Sequence, residues 1–481
     1  MIDDTARPGW RELWASGDLG RFCFISMGII LHASNETMIA TIMPGMVAEI
    51  SGVELVGWSL SIYEIGSIVA GAAAGRLVSY MALRTNMVLA ALIYSAGALV
   101  CATAPDMQWF LAGRLLEGFG GGALVSLSYV SIERLFPRII WPQLFAIISV
   151  VWGVAAFGGP LIGAVLSQAF SWRWAFGVFV IAGCAMAALS FAVLRGPKAT
   201  QRKATPDGAL PPFPVLPLVC LAGAIMAIAI AGVAGGIATS GLLLALGVAG
   251  IAGFFVLDAT RPASRLFPTQ PLDMRTNVGN GIVMMAAFSV GTITFSIYGP
   301  LILTSLHGVS ILTTGYIIAA ESIAWSVASI LVANAGPRQE RPIILIGSLA
   351  IFAGMVGFIW AVPSGNLPFI LACAILQGAG FGIAWPFVTR VIVSSAREEE
   401  RTVTSSAVPT MQRIGYAVGA AIAGIVANTA GFSEGLSGET AQGVAQWLFV
   451  AFIPFGVLGC VAAVRLLKGG YSNAHNPALK T

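Results

Sequence analysis

Charge is scarce in this sequence. Of 481 residues, 21 are acidic and 25 basic, and charged residues make up 10% of the chain against 57% hydrophobic ones. A water-soluble domain of this length cannot be solvated by so little charge, and the mean hydropathy of +0.88 excludes a chain of soluble domains. Cysteine is sparse as well. Cys23, Cys101, Cys184, Cys220, Cys373 and Cys460 lie singly in or beside apolar stretches, without the short spacings of a disulfide framework or metal site. The sequence also lacks a phosphate-cradling Gly-rich loop with its Lys and any nucleophile–base constellation. ATP-driven transport, enzymatic catalysis, a metal and a cofactor are therefore not expected. Period-two alternation is missing from the apolar runs, which argues against a β-barrel.

What the sequence has in abundance is apolar runs of bilayer-spanning length, about 20 residues each. They fall near 21–46, 55–79, 86–104, 108–133, 142–168 and 171–194, then 215–234 and 239–257, then 278–305, 311–335, 342–362, 367–392, 402–430 and 440–466. That pattern predicts an all-α membrane protein with fourteen transmembrane helices. A polar stretch from Arg195 to Pro214 reads as a linker, and a second, near 258–277, carries Arg261, Arg265 and Arg275. The N-terminal polar stretch and the lack of a small-residue cleavage site after the first run predict a retained first helix rather than a signal peptide. When the runs alternate sides, 22 of the 25 Lys and Arg fall toward one side, Arg114, Arg173 and Arg413 being the exceptions. Such a bias predicts cytoplasmic termini and a multi-pass protein of the cell (cytoplasmic) membrane. The basic residues follow this topology, so no nucleic-acid partner is implied.

An internal repeat organises the runs. Arg114-Leu-Leu-Glu117-Gly-Phe-Gly-Gly-Gly returns as Ala374-Ile-Leu-Gln377-Gly-Ala-Gly-Phe-Gly, with Glu117 aligned on Gln377. Tyr63-Glu64 aligns with Ala320-Glu321 at an offset of 257, Pro44 with Pro300 at 256, and Gly158 and Gly163 with Gly419 and Gly424 at 261. The expected organisation is an N-terminal six-helix bundle (1–195), a linker with two extra helices and a following loop (196–277), a C-terminal six-helix bundle (278–467) and a tail (468–481). Parallel repeats of this kind place a substrate path between the halves.

Several segments carry a family resemblance. Asn35-Glu36-Thr37-Met38-Ile39-Ala40-Thr41-Ile42-Met43-Pro44 is similar to the motif Asp-x-Thr-Ile-Val-x-x-x-Leu-Pro, with Asn35 in place of the acid. Arg114-Leu-Leu-Glu117-Gly118 is similar to Arg-x-x-Gln-Gly, with Glu for Gln. Gly158-Gly159-Pro160-Leu161-Ile162-Gly163 resembles a fifth-helix antiporter motif, and Ser171-Trp172-Arg173-Trp174-Ala175-Phe176 the opening of a sixth helix. These are features of the fourteen-helix drug:proton antiporters of the major facilitator superfamily. The resemblance implies the major facilitator fold and proton-coupled efflux of amphiphilic or lipophilic small molecules by alternating access. A carrier or importer of one lipid, siderophore or metabolite, or a transport-inactive sensor or scaffold, remains the alternative. The protein is expected to act as a monomer, with substrate, protons and the lipid bilayer as partners. The loop Gly75-Arg76-Leu-Val-Ser79-Tyr-Met-Ala82-Leu-Arg84 departs from the family pattern, in which an acid stands at 79 and a glycine at 82. A different latch between the halves is implied.

Candidate site residues follow from polarity at membrane depth, where ionisable groups are costly and usually functional. Glu36, with His32 one turn earlier on its face, is the first candidate for proton coupling, alongside Arg114 and Glu117. Arg114 and Glu117, three residues apart, can equally neutralise one another. Glu64 and Glu321 are expected to face each other across the central cavity or to bond nearby hydroxyls. Arg413 has no acid one turn away on its own helix, and its expected partner is a carboxylate on another helix or an anionic substrate group. Asn35, Gln377 and Gln412 would add hydrogen bonds to substrate, and Trp152, Tyr298, Trp325 and Trp385 would line an apolar pocket. Gly158, Gly159, Pro160, Gly163, Gly75, Arg76 and Arg84 are the expected conformational residues.

Overall fold

The computed structural model describes residues 19–50, 55, 58–201, 212–234, 236–429 and 439–468. The N-terminal polar stretch, much of the linker and the tail beyond Lys468 lie outside the described residues. The helices are α1 (Leu19–Ile50), α2 (Trp58–Tyr80), α3 (Leu83–Ala102), α4 (Met107–Leu135), α5 (Trp141–Ala169), α6 (Trp172–Val193), α7 (Val215–Val233) and α8 (Ile237–Ala259). They continue as α9 (Asn277–His307), α10 (Ile311–Val332), α11 (Pro337–Ser364), α12 (Leu367–Ser395), α13 (Arg401–Thr429), α14 (Glu439–Val450) and α15 (Ile453–Lys468).

Thirteen stretches of the described residues are long and apolar enough to cross a bilayer. The fourteenth expected span, α2, is 23 residues long but diluted by Glu64, Arg76 and its serines and glycines. Its neighbours bury it instead of lipid. The last span is broken between α14 and α15, where Pro454 stands at the second position of α15, the start of a helix being where a missing N–H is tolerated.

In the first half, α1 packs on α4, α5 and α6, α2 on α4, and α3 on α4 and α6. In the second, α9 packs on α13 and α15, α10 on α12, and α11 on α12, α14 and α15. The halves meet along two seams, α2 and α4 against α13, and α5 against α10 and α12. The pair α7–α8 lies outside both halves, with α7 against α2 and α13.

Glycine sets how closely these helices approach, since apolar side chains gain little from pairing inside lipid. A Cβ at Gly118 would stand 2.2 Å from the Tyr63 carbonyl oxygen, and one at Gly122 2.2 Å from that of Ser67. The repeat reproduces both contacts, a Cβ at Gly378 falling 2.1 Å from the Glu321 carbonyl oxygen and one at Gly382 2.2 Å from that of Trp325. These contacts correct the register read from sequence. Tyr63, not Glu64, corresponds to Glu321, and one residue on a helix is a turn of about 100°. The fifth-helix motif shifts likewise. Gly159 meets the Ser34 carbonyl oxygen and Gly419 that of Val290, so Gly159 rather than Gly158 matches Gly419. Gly424 packs on Gly232 of α7 and is not the counterpart of Gly163, which packs on Thr41 and Met38 of α1.

Gly118→Ala is therefore expected to lower the melting temperature in detergent by several degrees, because overpacking a close helix contact costs about 1–3 kcal/mol. Gly158→Ala, with nothing within 4 Å of the added carbon, should leave it unchanged. Equal melting temperatures for the two variants would contradict the register.

Candidate functional site

The candidate polar side chains within the helices fall, among the described residues, into three groups. The first is enclosed. Arg114 of α4 donates through Nη1 to Glu117 Oε2 at 2.7 Å and to Asn35 Oδ1, and through Nε to the Ser59 carbonyl oxygen at 3.3 Å. Asn35 Nδ2 in turn donates to Glu117 Oε1 at 2.8 Å, and Cys101 Sγ to Glu117 Oε2 at 3.6 Å. The guanidinium lies 4.1 Å from the Tyr63 ring centroid. Arg114, Glu117 and Asn35 are each 0% exposed. This triad balances its charges internally and reaches no cavity. The structure thus places two expected proton-coupling groups, Arg114 and Glu117, and one expected substrate contact, Asn35, in a joint between α1, α2 and α4.

The second group is open. Glu36 follows Asn35 by one residue and so points about 100° away from the triad. Arg413 of α13 donates to Glu36 Oε2 at 3.0 Å and to Glu64 Oε1 at 2.5 Å, and its guanidinium lies 5.5 Å from the Trp152 ring centroid. Glu36 remains 31% exposed and Glu64 25%, against 11% for Arg413. His32 Nε2 stands 3.6 Å from Glu36 Oε2, and its Nδ1 stands 2.7 Å from the Tyr63 hydroxyl. The residue that joins the two groups is Tyr63, whose ring covers Arg114 while its hydroxyl holds His32. Gly121 makes room for it, since a Cβ there would meet His32 Nδ1 at 2.5 Å and the Tyr63 hydroxyl at 2.9 Å.

The third group belongs to the second half. Gln377 Nε2 donates to Glu321 Oε1 at 2.8 Å. Trp325 stacks on Phe381 with ring centroids 4.7 Å apart, and Trp385 meets both rings edge-on. Trp385 Nε1 donates to Gln412 Oε1 at 3.3 Å, and Gln412 Nε2 to the Tyr416 hydroxyl at 2.9 Å. Tyr298 is half-buried on α9. Glu64 is taken up by Arg413 and Glu321 by Gln377. The one-residue register difference turns Glu64 toward α13, whereas Glu321 occupies the place that Tyr63 holds in the first half.

The conformational residues separate in the same way. Gly159 and Gly163 carry α5 against α1, Pro160 lies between them inside the helix, and Gly158 faces open space. Gly75 packs on Ser406 and on the Thr402 carbonyl oxygen of α13, which joins the halves. Arg84 lies over the Phe191 ring of α6 at 5.3 Å, within the first half, and Arg76 beside Tyr80 on its own helix. Charge in the α2–α3 loop is therefore not what latches the halves. Hydroxyls of the two helices that meet there are: Thr402 Oγ1 of α13 donates to Glu133 Oε2 of α4 at 3.1 Å, and Ser126 Oγ of α4 donates to the Ser406 carbonyl oxygen of α13 at 3.4 Å. Glu133, Thr402, Ser406 and Tyr63 were not singled out above, although the hydroxyl-rich run Thr402-Val-Thr-Ser-Ser406 was a visible signal.

Comparison with known proteins gives a consistent picture. The sequence profile described as Major Facilitator Superfamily matches residues 25–364 and 280–480. The protein of Mycobacterium tuberculosis (strain ATCC 25618 / H37Rv) described as "Probable multidrug-efflux transporter" is 31% identical over 479 residues, covering 97% of this chain and 98% of that protein. Multidrug resistance protein 3 of Bacillus subtilis (strain 168) is 24% identical over 448 residues, covering 87% and 83%. Among solved structures, a human organic anion transporter superposes with a TM-score of 0.65 at 16% identity, covering 92% of this chain and 98% of that one. A proton:xylose symporter gives the same TM-score and identity over 94% and 96%. At this identity the structures speak for the fold alone.

The enclosed triad generates a charge-exchange prediction. Glu117→Gln leaves Arg114 buried without a carboxylate and should cost about 3–5 kcal/mol, read as a large drop in melting temperature. Asn35 and Glu117 sit side by side on the same guanidinium, so adding Asn35→Asp to Glu117→Gln should recover most of the loss. A double variant no more stable than Glu117→Gln would show that Arg114 does not draw its stability from this pair.

Proposed function

The chain belongs to the major facilitator superfamily and is a transporter rather than an enzyme, and we propose that it exports amphiphilic or lipophilic small molecules in exchange for protons, by alternating access between two six-helix bundles in the cytoplasmic membrane. Both termini would lie in the cytoplasm, and the monomer would be the working unit. The observation that carries this reading is Arg413, held by Glu36 of α1 and Glu64 of α2 across the seam between the halves, with both carboxylates partly exposed at membrane depth.

Two carboxylates and one guanidinium leave one surplus negative charge when all are ionised. A proton on Glu36 cancels that surplus and still leaves Arg413 paired with Glu64, so the site can be neutralised without stranding a buried cation. A substrate bearing a cationic or hydrogen-bond-donating group would satisfy the same surplus. Proton and substrate then compete for one site, as exchange requires. His32, within 3.6 Å of Glu36, is the proposed partner of that carboxylate as it changes charge. The third group, Glu321 with Gln377 and the rings of Trp325 and Trp385, would supply the apolar wall and a second polar contact on the opposite half, joined by Gln412. Because α1 and α2 belong to one half and α13 to the other, weakening the Arg413 contacts loosens the seam itself. That would couple the charge state to the rocking motion.

In proteoliposomes carrying a pH gradient, a transported compound should drive proton flux in the unaltered protein. Glu36→Gln should abolish that flux while retaining substrate binding; flux at the unaltered rate would remove Glu36 from the role. A second test locks the motion. A Cβ at Gly153 would lie 3.9 Å from that of Ser326 across the α5–α10 seam, within the span of a disulfide. The oxidised pair Gly153→Cys and Ser326→Cys should stop transport, and reduction should restore it. Undiminished transport with the bridge formed would argue against rocking at this seam.

A further inference from the structure

A side-chain amide can turn either end toward a neighbour, and the choice is settled by a partner that has none. Trp385 of α12 is such a partner. Its indole N–H can only donate. The ring is 5% exposed, and edge-on contacts with Phe381 and Trp325, at 4.6 and 6.2 Å between centroids, fix where that N–H lies. Gln412 of α13 accepts the proton through Oε1 at 3.3 Å. Its Nε2 is thereby turned the other way, to the Tyr416 hydroxyl at 2.9 Å, one turn along the same helix. An amide nitrogen does not accept, so Tyr416 is the acceptor in this bond, and its own phenolic proton points elsewhere.

Nothing among the described residues takes that proton. Tyr416 makes no other hydrogen bond there. It is half-buried and lies within electrostatic reach of Arg413, Glu36 and Glu321. Tyr129 of α4, in the opposite half, interacts with Tyr416 and Arg413, again without a hydrogen bond. Tyr416 thus borders the open group and the aromatic group together. The acids around it accept when ionised, and Arg413 is already held by Glu36 and Glu64. A directed phenol proton adds a neutral donor to this site, three residues from the guanidinium and on the helix face they share. Trp325 offers a contrast: its Nε1 is buried without a partner, so its ring packs but directs nothing.

From this one-way chain we infer that Tyr416 donates its hydroxyl proton to substrate, with Trp385 and Gln412 as the positioning residues that aim it. The inference rests on the transport reading above and narrows its substrates to compounds that carry a hydrogen-bond acceptor, such as a carbonyl or ether oxygen, beside their apolar and cationic parts. Loss of the Trp385 N–H frees the amide to turn over. Gln412 then presents Oε1 to Tyr416, whose proton is drawn inward and away from substrate.

The test compares two ions of one shape, para-acetyl and para-isopropyl N-dodecylpyridinium, of which only the first carries an acceptor. The readout is how far each variant moves the KM of substrate-driven proton flux for one ion relative to the other, so that differences in membrane partitioning cancel. Tyr416→Phe should raise the KM of the acetyl ion about tenfold relative to the isopropyl ion, a change of about 1.4 kcal/mol, with the maximal rate kept. Trp385→Phe should do the same with Tyr416 intact, and adding it to Tyr416→Phe should bring no further relative change. Trp325→Phe should move both KM values together. Equal changes for the two ions in Tyr416→Phe would overturn the donor and leave the phenol a neighbour of the acids alone. No relative change in Trp385→Phe, or an equal one in Trp325→Phe, would overturn the aiming chain. Calorimetric titration in detergent reads the same relative shift in Kd without transport. If neither ion drives proton flux in the unaltered protein, the exchange reading fails by itself, whereas equal Kd changes for the two ions in Tyr416→Phe, or no binding of either, would overturn the donor.

Discussion

A guanidinium at membrane depth has no water to turn to, and the architecture of this protein depends on how it answers that constraint twice. Arg114 is answered inside one half, by a carboxylate one turn along its own helix and an amide from α1. Arg413 is answered across the seam, by carboxylates from two helices of the opposite half. Leaving either cation alone would cost several kcal/mol, so each pairing dictates which helices stay together. The first joins α1, α2 and α4 into a unit. The second binds the two halves to each other across the seam.

Tyr63 ties these two answers into one device. Its ring covers the enclosed guanidinium, its hydroxyl holds His32 beside Glu36, and its backbone is pressed against Gly118. An enclosed ion pair and a partly exposed one thus share a wall. The second half has a carboxylate, Glu321, where the first has this phenol, and so presents a hydrogen-bonded acid and an aromatic stack instead of a cation. The repeat supplies the same backbone frame on both sides, and unlike side chains in it make the two halves chemically different.

Much of this was legible in the sequence, and the errors are instructive. Isolated ionisable residues in apolar runs marked Glu36, Glu64, Arg114, Glu117, Glu321 and Arg413, because nothing in a hydrocarbon layer tolerates them without a reason. The failures came from register. Aligning Glu64 with Glu321 by chemical likeness was wrong by one residue, and the glycine contacts that settle the alignment involve carbonyl oxygens, which leave no trace in side-chain pattern. The different latch implied by the altered α2–α3 loop could not be located from sequence for a related reason. Arg84 stands in the loop that resembles a latch, but the chain turns it onto Phe191, and a hydroxyl–glycine contact between α13, α2 and α4 joins the halves instead.

By itself, then, the sequence determined the membrane setting, the helices, the repeat and the short list of polar groups that must find partners, since all of these are properties of local hydropathy and spacing. Tertiary structure decided which partner each group takes. Asn35 and Glu36 are neighbours in the chain, yet one is sealed into a neutral triad and the other is left open beside Arg413 and His32. Adjacent positions on a helix diverge by about 100°, and what waits in each direction is set by helices far away in the chain.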